Sequence, residues 1–134
     1  MINTVMLASV VVLVIGILIG WYYRVQILDF LCGTTPPAPT QQIKDALDNQ
    51  AMLLDMRMYV ETRKEGADLI PGAKNIPLLR LRWHFDELPR DKTIVTFCVS
   101  GKRAGKGADM LNSRGFKALS GGGISNVKTI LASK

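Results

Sequence analysis

The sequence predicts an α/β fold in which a small central parallel sheet is flanked by helices and preceded by one N-terminal transmembrane helix. Short apolar runs alternate with segments of helical periodicity, which is typical of a parallel sheet covered on both faces. The first 23 residues contain no charged side chain, and all 17 lysines and arginines follow them. A chain of 134 residues has room for one domain of modest size and an appendage.

The N-terminal segment, residues 1–24, is predicted to be an uncleaved membrane anchor. Its apolar part approaches the roughly 20 residues that span a bilayer. Trp21 to Tyr23 and then Arg24 take the positions of an aromatic belt and a snorkelling cation. A cleaved signal peptide is the alternative, but no basic residue precedes the apolar run and bulky aromatics stand where a cleavage site would be. The lack of basic residues before Arg24 places the following domain on the cytoplasmic side.

Residues 25–39 are predicted to be a juxtamembrane segment and a Pro-rich linker, and residues 40–134 the folded domain. The prolines of this linker exclude a continuous helix. Periodicity and turn residues then predict the elements of the domain in order. These are a helix over 41–48 with Thr40 as its N-cap, a strand over 51–55, a helix over 58–65, a strand over 74–76, a helix over 78–87, a strand over 93–97, a helix over 103–112 with Gly115 as its C-cap, a strand over 117–119 and a helix over 124–131.

A cysteine stands where one predicted strand ends and a tight loop leads into the next helix. Backbone N–H groups of such a loop, together with the helix dipole, stabilise anions and thiolates. Glycine lets the loop turn without a Cβ clash, and arginine supplies a fixed cation. A lone cysteine at a strand end is more often a small buried apolar residue. The combined pattern instead predicts a nucleophile in an anion cradle, formed by Cys98, Val99, Ser100, Gly101, Lys102 and Arg103.

This loop resembles the active-site loop of the rhodanese (thiosulfate sulfurtransferase) family. Three further motifs follow the family's order. Leu53–Arg57 is similar to its strand that ends in Asp-x-Arg, Ile70–Pro77 to its Ile-Pro-Gly-Ala-x-Asn-Ile-Pro segment, and Gly121–Ile124 to its Gly-Gly-Ile. The chain departs from the family where Asn126 and Val127 replace a small residue and a tryptophan. The resemblance implies a single rhodanese-like domain.

The resemblance also implies a two-step sulfur transfer. A small anionic donor such as thiosulfate gives its sulfane sulfur to Cys98, and a thiol or cyanide then removes that sulfur from the persulfide. No cofactor is implied beyond this covalent intermediate. The loop from Val99 to Arg103 binds the substrate, while Asp55 and Arg57 support it from a neighbouring strand end. A six-residue loop resembles that of the sulfurtransferases, since related phosphatases and arsenate reductases have a loop one residue longer.

Other functions agree less well with the sequence. The only histidine, His84, lies apart from the motifs, and no cluster of His, Cys and acids has metal spacing, so no metal is predicted. The formal charge of +6 suits anionic lipids or substrates, but no basic run with interleaved aromatics indicates nucleic acid. Cys32 is either inert or a resolving partner for Cys98. A non-catalytic docking module at the membrane is the alternative function, and no feature identifies a protein partner.

Overall fold

The computed structural model describes residues 3–31 and 35–134, and the chain divides into two units, Met1–Cys32 and Gly33–Lys134. The first unit contains one helix, α1 (Thr4–Leu31). Its stretch Met6–Arg24 is long and apolar enough to cross a membrane, and none of it is buried. Nineteen helical residues extend about 28 Å, close to the thickness of a bilayer's hydrocarbon core. A signal sequence or the core helix of a soluble protein also meets this criterion of length and apolarity.

The second unit alternates strands with helices. Its α-helices are α2 (Thr40–Asp48), α3 (Tyr59–Thr62), α4 (Lys102–Asn112) and α5 (Ile124–Ala132). Its strands are β1 (Met52–Asp55), β2 (Lys74–Asn75), β3 (Thr93–Cys98) and β4 (Lys117–Gly123). Two 3-10 helices, Leu78–Trp83 and Phe85–Glu87, connect β2 with β3.

The four strands form one parallel sheet in the order β2-β1-β3-β4, which confirms the predicted α/β fold. Neighbouring residues of β3 point to opposite faces, as the strand period of two requires. Ile94 packs with Leu111 of α4 in one core cluster. Val95 packs with Ile43 of α2 and Ile130 of α5 in another. Helices therefore cover both faces of the sheet.

Several predicted helix bounds are wrong. The predicted helix over 78–87 is two 3-10 helices, because side chains three residues apart turn toward the core and match the 3-10 repeat. The predicted helix over 58–65 ends at Thr62, because the next four residues offer no large apolar side chain for burial. Pro39, not Thr40, is the N-cap of α2, and no side chain caps that helix.

Residues 35–39, part of the predicted linker, lie in an extended conformation against the domain. The Ala38 N–H donates to the Ser120 carbonyl at 2.8 Å, and Thr35 Oγ1 donates to Asp109 Oδ2 at 2.5 Å. The backbone of Thr35 passes so close to Gly105 that a Cβ there would lie 2.5 Å from the Thr35 carbonyl oxygen. This Pro-rich segment is therefore a packed part of the second unit. Cys32 lies outside the described residues.

Candidate active site

The cysteine loop joins the end of β3 to the start of α4, as the strand–loop–helix pattern predicts. Gly101 occupies the left-handed region with φ of 93°, where side chains are strained. A Cβ at Gly101 would lie 3.1 Å from the Cα of Gly122. Both the conformation and this close approach require glycine, and they set the path of the loop.

The Cys98 thiol lies beneath the loop. Its Sγ accepts a hydrogen bond from the backbone N–H of Gly101 at 3.0 Å. The residue has 0% exposed surface and belongs to the core cluster that includes Met56 and Ala104. The donor geometry suits a negatively charged sulfur, while the burial means that a substrate reaches Sγ only after covering atoms move.

Arg103, on the first turn of α4, is held by a carboxylate. Its Nη1 and Nη2 donate to the two oxygens of Glu61 at 2.6 and 2.9 Å. The pKa of Arg103 is raised, mainly by the hydrogen bonds to Glu61 and to a smaller extent by the Cys98 sulfur. The same hydrogen bonds lower the pKa of Glu61 to about 2, assisted by a hydrogen bond from the Met58 N–H at 2.7 Å. Arg103, which the sequence predicts to bind the substrate, thus interacts with both Glu61 and the Cys98 sulfur.

The sequence does not predict a place for Glu61 in the site. Its position three residues after Met58, at the start of α3, is the spacing at which a glutamate accepts from the N-cap N–H. That spacing predicts a capping role, and only the fold brings the carboxylate to Arg103, 42 residues later in the chain.

Asp55 and Arg57 form a buried ion pair at the carboxyl end of β1, with 2.7 Å between Arg57 Nη2 and Asp55 Oδ2. The Asp55 hydrogen bond is the main cause that raises the pKa of Arg57. Arg57 Nη2 also donates to the Asp68 carbonyl at 2.7 Å, and the Asn75 amide donates to the carbonyls of Asp55 and Arg57. The pair fixes the two ends of the segment that carries Glu61.

The glycines at the end of β4 form the floor of the loop. The β3–β4 register shifts by one residue between Thr96 and Cys98, and Cys98 then pairs with Gly123. A Cβ on Gly123 would lie 2.6 Å from the Val99 carbonyl oxygen. Thr96 Oγ1 donates to the Ala104 carbonyl at 2.8 Å and ties β3 to α4. The glycine run thus lets the backbone of the loop lie directly on β4.

The remaining predicted site residues point outward. Val99 is 55% exposed, and Ser100 and Lys102 are also exposed. Ser100 and Lys102 line a groove of about 460 Å³, which the Pro-rich segment also lines. Cys98 does not line this groove. The fold therefore brings Cys98, Gly101 and Arg103 together and directs the side chains of the loop's centre away from the sulfur.

Within residues 3–31 and 35–134, no group of three or more His, Cys, Asp or Glu side chains is placed to hold a metal ion. His84 Nδ1 lies 2.7 Å from Glu87 Oε1, and Glu87 also binds Lys74. This histidine therefore lies between the two 3-10 helices in a hydrogen-bonded cluster with Glu87 and Lys74.

The second unit is similar to known proteins. The family profile of the rhodanese-like domain matches residues 39–128. A tRNA sulfurtransferase of Desulfurococcus amylolyticus is 30% identical over 101 residues, which cover 75% of this chain and 19% of that protein. The uncharacterized protein YqhL of Bacillus subtilis is 35% identical over 66 residues, which cover 49% of this chain and 50% of that protein.

A solved structure is also similar to this chain. Reduced Bacillus anthracis CoADR-RHD is 31% identical and matches with a TM-score of 0.58, over 84% of this chain and 19% of that one. The chain spans 19% and 50% of the lengths of the two curated relatives. Since the family profile covers well over half of the sequence, from the Pro-rich segment into the last helix, the chain belongs to the rhodanese-like domain family.

Proposed function

We propose that this protein is a sulfurtransferase in which Cys98 carries sulfane sulfur as a persulfide. The observation that carries the proposal is the hydrogen bond of 3.0 Å from the Gly101 N–H to Cys98 Sγ, at the point where β3 feeds α4. Family membership and a relative named tRNA sulfurtransferase support sulfur transfer as the class of reaction.

The first step is attack by the Cys98 thiolate on the outer sulfur of a thiosulfate-like donor. A bond forms between Sγ and that sulfur, the bond from the outer sulfur to sulfite breaks, and sulfite leaves with the electron pair. In the second step, cyanide or a thiolate attacks the terminal sulfur of the persulfide. The Sγ–S bond then breaks and returns the electron pair to Cys98. Backbone N–H groups of the loop stabilise the negative sulfur in each state.

Arg103 attracts the anionic donor and stabilises the charge of the departing sulfite. Its pairing with Glu61 holds the guanidinium beside the loop while leaving the side chain 30% exposed. Because Cys98 has no exposed surface, the donor gains access to Sγ only after the atoms that cover it move. Access to the thiol is therefore a distinct step before the chemistry.

Steady-state thiocyanate formation from thiosulfate and cyanide tests the proposal with the full chain in detergent. Double-reciprocal plots at several cyanide concentrations are expected to be parallel, the signature of a ping-pong mechanism. Cys98→Ser is expected to abolish turnover, whereas Cys32→Ser is the matched control and keeps it. Equal turnover in Cys98→Ser and the unmodified chain would refute the proposal.

A non-catalytic docking domain is the second candidate function, and the complete burial of Cys98 favours it. In that case the loop serves as a recognition surface and the thiol is a core residue. A domain of this kind shows no thiocyanate turnover, and Cys98→Ala then changes stability alone. The presence of Arg103 beside the sulfur favours the enzyme instead.

The second part of the proposal is that α1 tethers the domain to a membrane, with the domain on the cytoplasmic side. Met6–Arg24 has the required length and composition, and no lysine or arginine precedes Arg24. A membrane-impermeant maleimide added to intact cells that express Cys98→Ser tests this topology through Cys32. Protection of Cys32 until the cells are lysed supports cytoplasmic placement, and labelling in intact cells contradicts it.

A further inference from the structure

The first 3-10 helix, Leu78–Trp83, presents a mixed apolar and cationic surface. A 3-10 helix has three residues per turn, so its side chains form three columns. The column that contains Leu81 faces the core. The two outward columns pair one apolar residue with one arginine, Leu79 with Arg82 and Arg80 with Trp83. Leu79 is 64% exposed and Trp83 is 68% exposed. These four residues are called the 3-10 surface below.

The charge of this surface is positive. The helix contains no acidic residue, and the Arg82 guanidinium lies 4.9 Å from the Trp83 ring. Arg80 approaches the ring of Tyr59 at 5.7 Å, and Arg63 lies over the same ring at 4.4 Å, which adds a third cation nearby. An exposed tryptophan and leucine between arginines match the chemistry of a bilayer interface, where apolar side chains enter and guanidinium groups meet anionic headgroups.

Residues 32–34 join the sequence of α1 to that of the Pro-rich segment. Thr35 is bound to Asp109 of α4. The 3-10 helix packs on the same helix, where a Cβ on Gly107 would lie 3.8 Å from Leu78 Cδ1. The Pro-rich segment and the 3-10 helix therefore both contact α4.

We infer that the 3-10 surface rests on the headgroup region of an anionic bilayer and orients the domain there. This inference depends on the membrane anchor of the proposed function, because α1 supplies the high local concentration that a four-residue contact needs. Trp83 and Leu79 insert at the level of the headgroups, while Arg80 and Arg82 pair with lipid phosphates.

The two tryptophans of the chain allow a direct test, because Trp21 reports on α1 and Trp83 on the 3-10 surface. The full chain is reconstituted into vesicles of phosphatidylcholine with or without phosphatidylglycerol, in which a fraction of the lipid is brominated near the headgroup. Trp21→Phe leaves Trp83 as the sole emitter, and Trp83→Phe leaves Trp21. Trp83 is expected to be quenched in the anionic vesicles and much less in the neutral ones.

Removal of the arginines sharpens the test. In the Trp21→Phe background, Arg80→Gln and Arg82→Gln are expected to lower the equilibrium constant for docking roughly fivefold for each arginine. The charge-matched control is Lys128→Gln with Lys134→Gln on and after α5, and it keeps the quenching. Unchanged quenching without the two arginines would overturn the inference.

The remaining outcomes distinguish failure of the 3-10 surface from failure of the membrane anchor. Quenched Trp21 with unquenched Trp83 overturns the 3-10 surface and leaves the anchor. Unquenched Trp21 overturns both. If Trp83 is not quenched by anionic vesicles but its emission changes when bulk tRNA is added, the surface binds nucleic acid and the lipid assignment is overturned. Persulfide formation in Trp83→Phe is expected to be unchanged, since this residue lies outside the active site.

Discussion

Arg103 has two partners, and its role depends on both. Its guanidinium donates two hydrogen bonds to Glu61 and interacts with the sulfur of Cys98. The Glu61 carboxylate fixes the position of the guanidinium, and the Cys98 sulfur interacts with its positive charge. In the proposed reaction, a guanidinium in this position stabilises both the sulfur anion and the anionic donor.

Arg103→Ala is expected to reduce kcat/KM for thiosulfate by about tenfold or more, since a charge-assisted hydrogen bond to the donor is lost. Stability is expected to fall by only about 1 kcal/mol, because the pair with Glu61 is partly exposed. The thiocyanate assay measures the first effect and urea unfolding the second. Lys102→Ala is the matched control, with an exposed side chain and little expected change. Equal activity of Arg103→Ala and the unmodified chain removes Arg103 from the site.

The pKa of Glu61 predicts a pH dependence of stability. Its folded pKa is about 2, against an ordinary 4.5, so the stabilising contribution is complete above pH 4.5 and is lost as the pH falls toward 2. Glu61→Gln is therefore expected to be less stable than the unmodified chain by about 1 kcal/mol at neutral pH. The gap is expected to shrink between pH 4.5 and 2. Thermal unfolding at pH 7, 5 and 3 measures it, and a constant gap down to pH 3 contradicts the assignment.

The loop and the end of β4 act as one packed element. Gly101 and Gly115 both have left-handed backbones, with φ of 93° and 80°. A Cβ at Gly101 meets the Gly122 backbone at 3.1 Å, whereas at Gly115 the nearest atom is Arg90 Nη1 at 3.8 Å. The two positions thus share a left-handed backbone that strains any other residue, and they differ in the space around them.

This difference predicts unequal costs for the same substitution. Gly115→Ala is expected to destabilise the protein by about 1 kcal/mol, the cost of the left-handed conformation. Gly101→Ala is expected to cost about 3 kcal/mol, since the backbone of β4 must also move. It is further expected to slow sulfur loading, because the Gly101 N–H is displaced from Sγ. Urea unfolding compares the two variants, and equal costs would show that contact with Gly122 does not shape the loop.

At the level of elements, the sequence predicts those with strong local signals. The β-branched run before Cys98 and the apolar strand before Asp55 predict β3 and β1, and the structure agrees. The extension of β4 to Gly123 is invisible locally, because a run of glycines has low strand propensity and pairs here only through contact with β3 and the loop. The place of Glu61 in the site is likewise not predictable locally. Its sequence position indicates only a helix cap, and its partner Arg103 is remote in sequence.

At the scale of the whole second unit, residues 35–39, which the sequence predicts as part of a linker, pack against the domain. Proline spacing predicts the extended conformation of residues 35–39 but contains no information on what that segment contacts. The segment packs against Gly105 and Gly122, whose lack of a side chain leaves room for Thr35 and Pro37. Such a match between two distant segments appears only once the fold places them together.

The contribution of this segment is testable by truncation. A piece that spans residues 33–134 is expected to be more stable than one that spans 40–134 by about 2 kcal/mol, because it retains the Ala38–Ser120 and Thr35–Asp109 hydrogen bonds. Thr35→Val in the longer piece is expected to lose about 1 kcal/mol of this difference. Urea unfolding measures both. Equal stability of the two pieces would mean that residues 35–39 are only a linker.

The intact mass of the protein after incubation with thiosulfate tests the central claim most directly. In Cys32→Ser, which keeps Cys98 as the sole cysteine, the mass is expected to rise by one sulfur atom and to return to its starting value when cyanide is added. Cys98→Ser is expected to gain no sulfur. If Cys32→Ser stays at its unmodified mass, or if Cys98→Ser takes up the same sulfur, Cys98 is not the sulfur carrier.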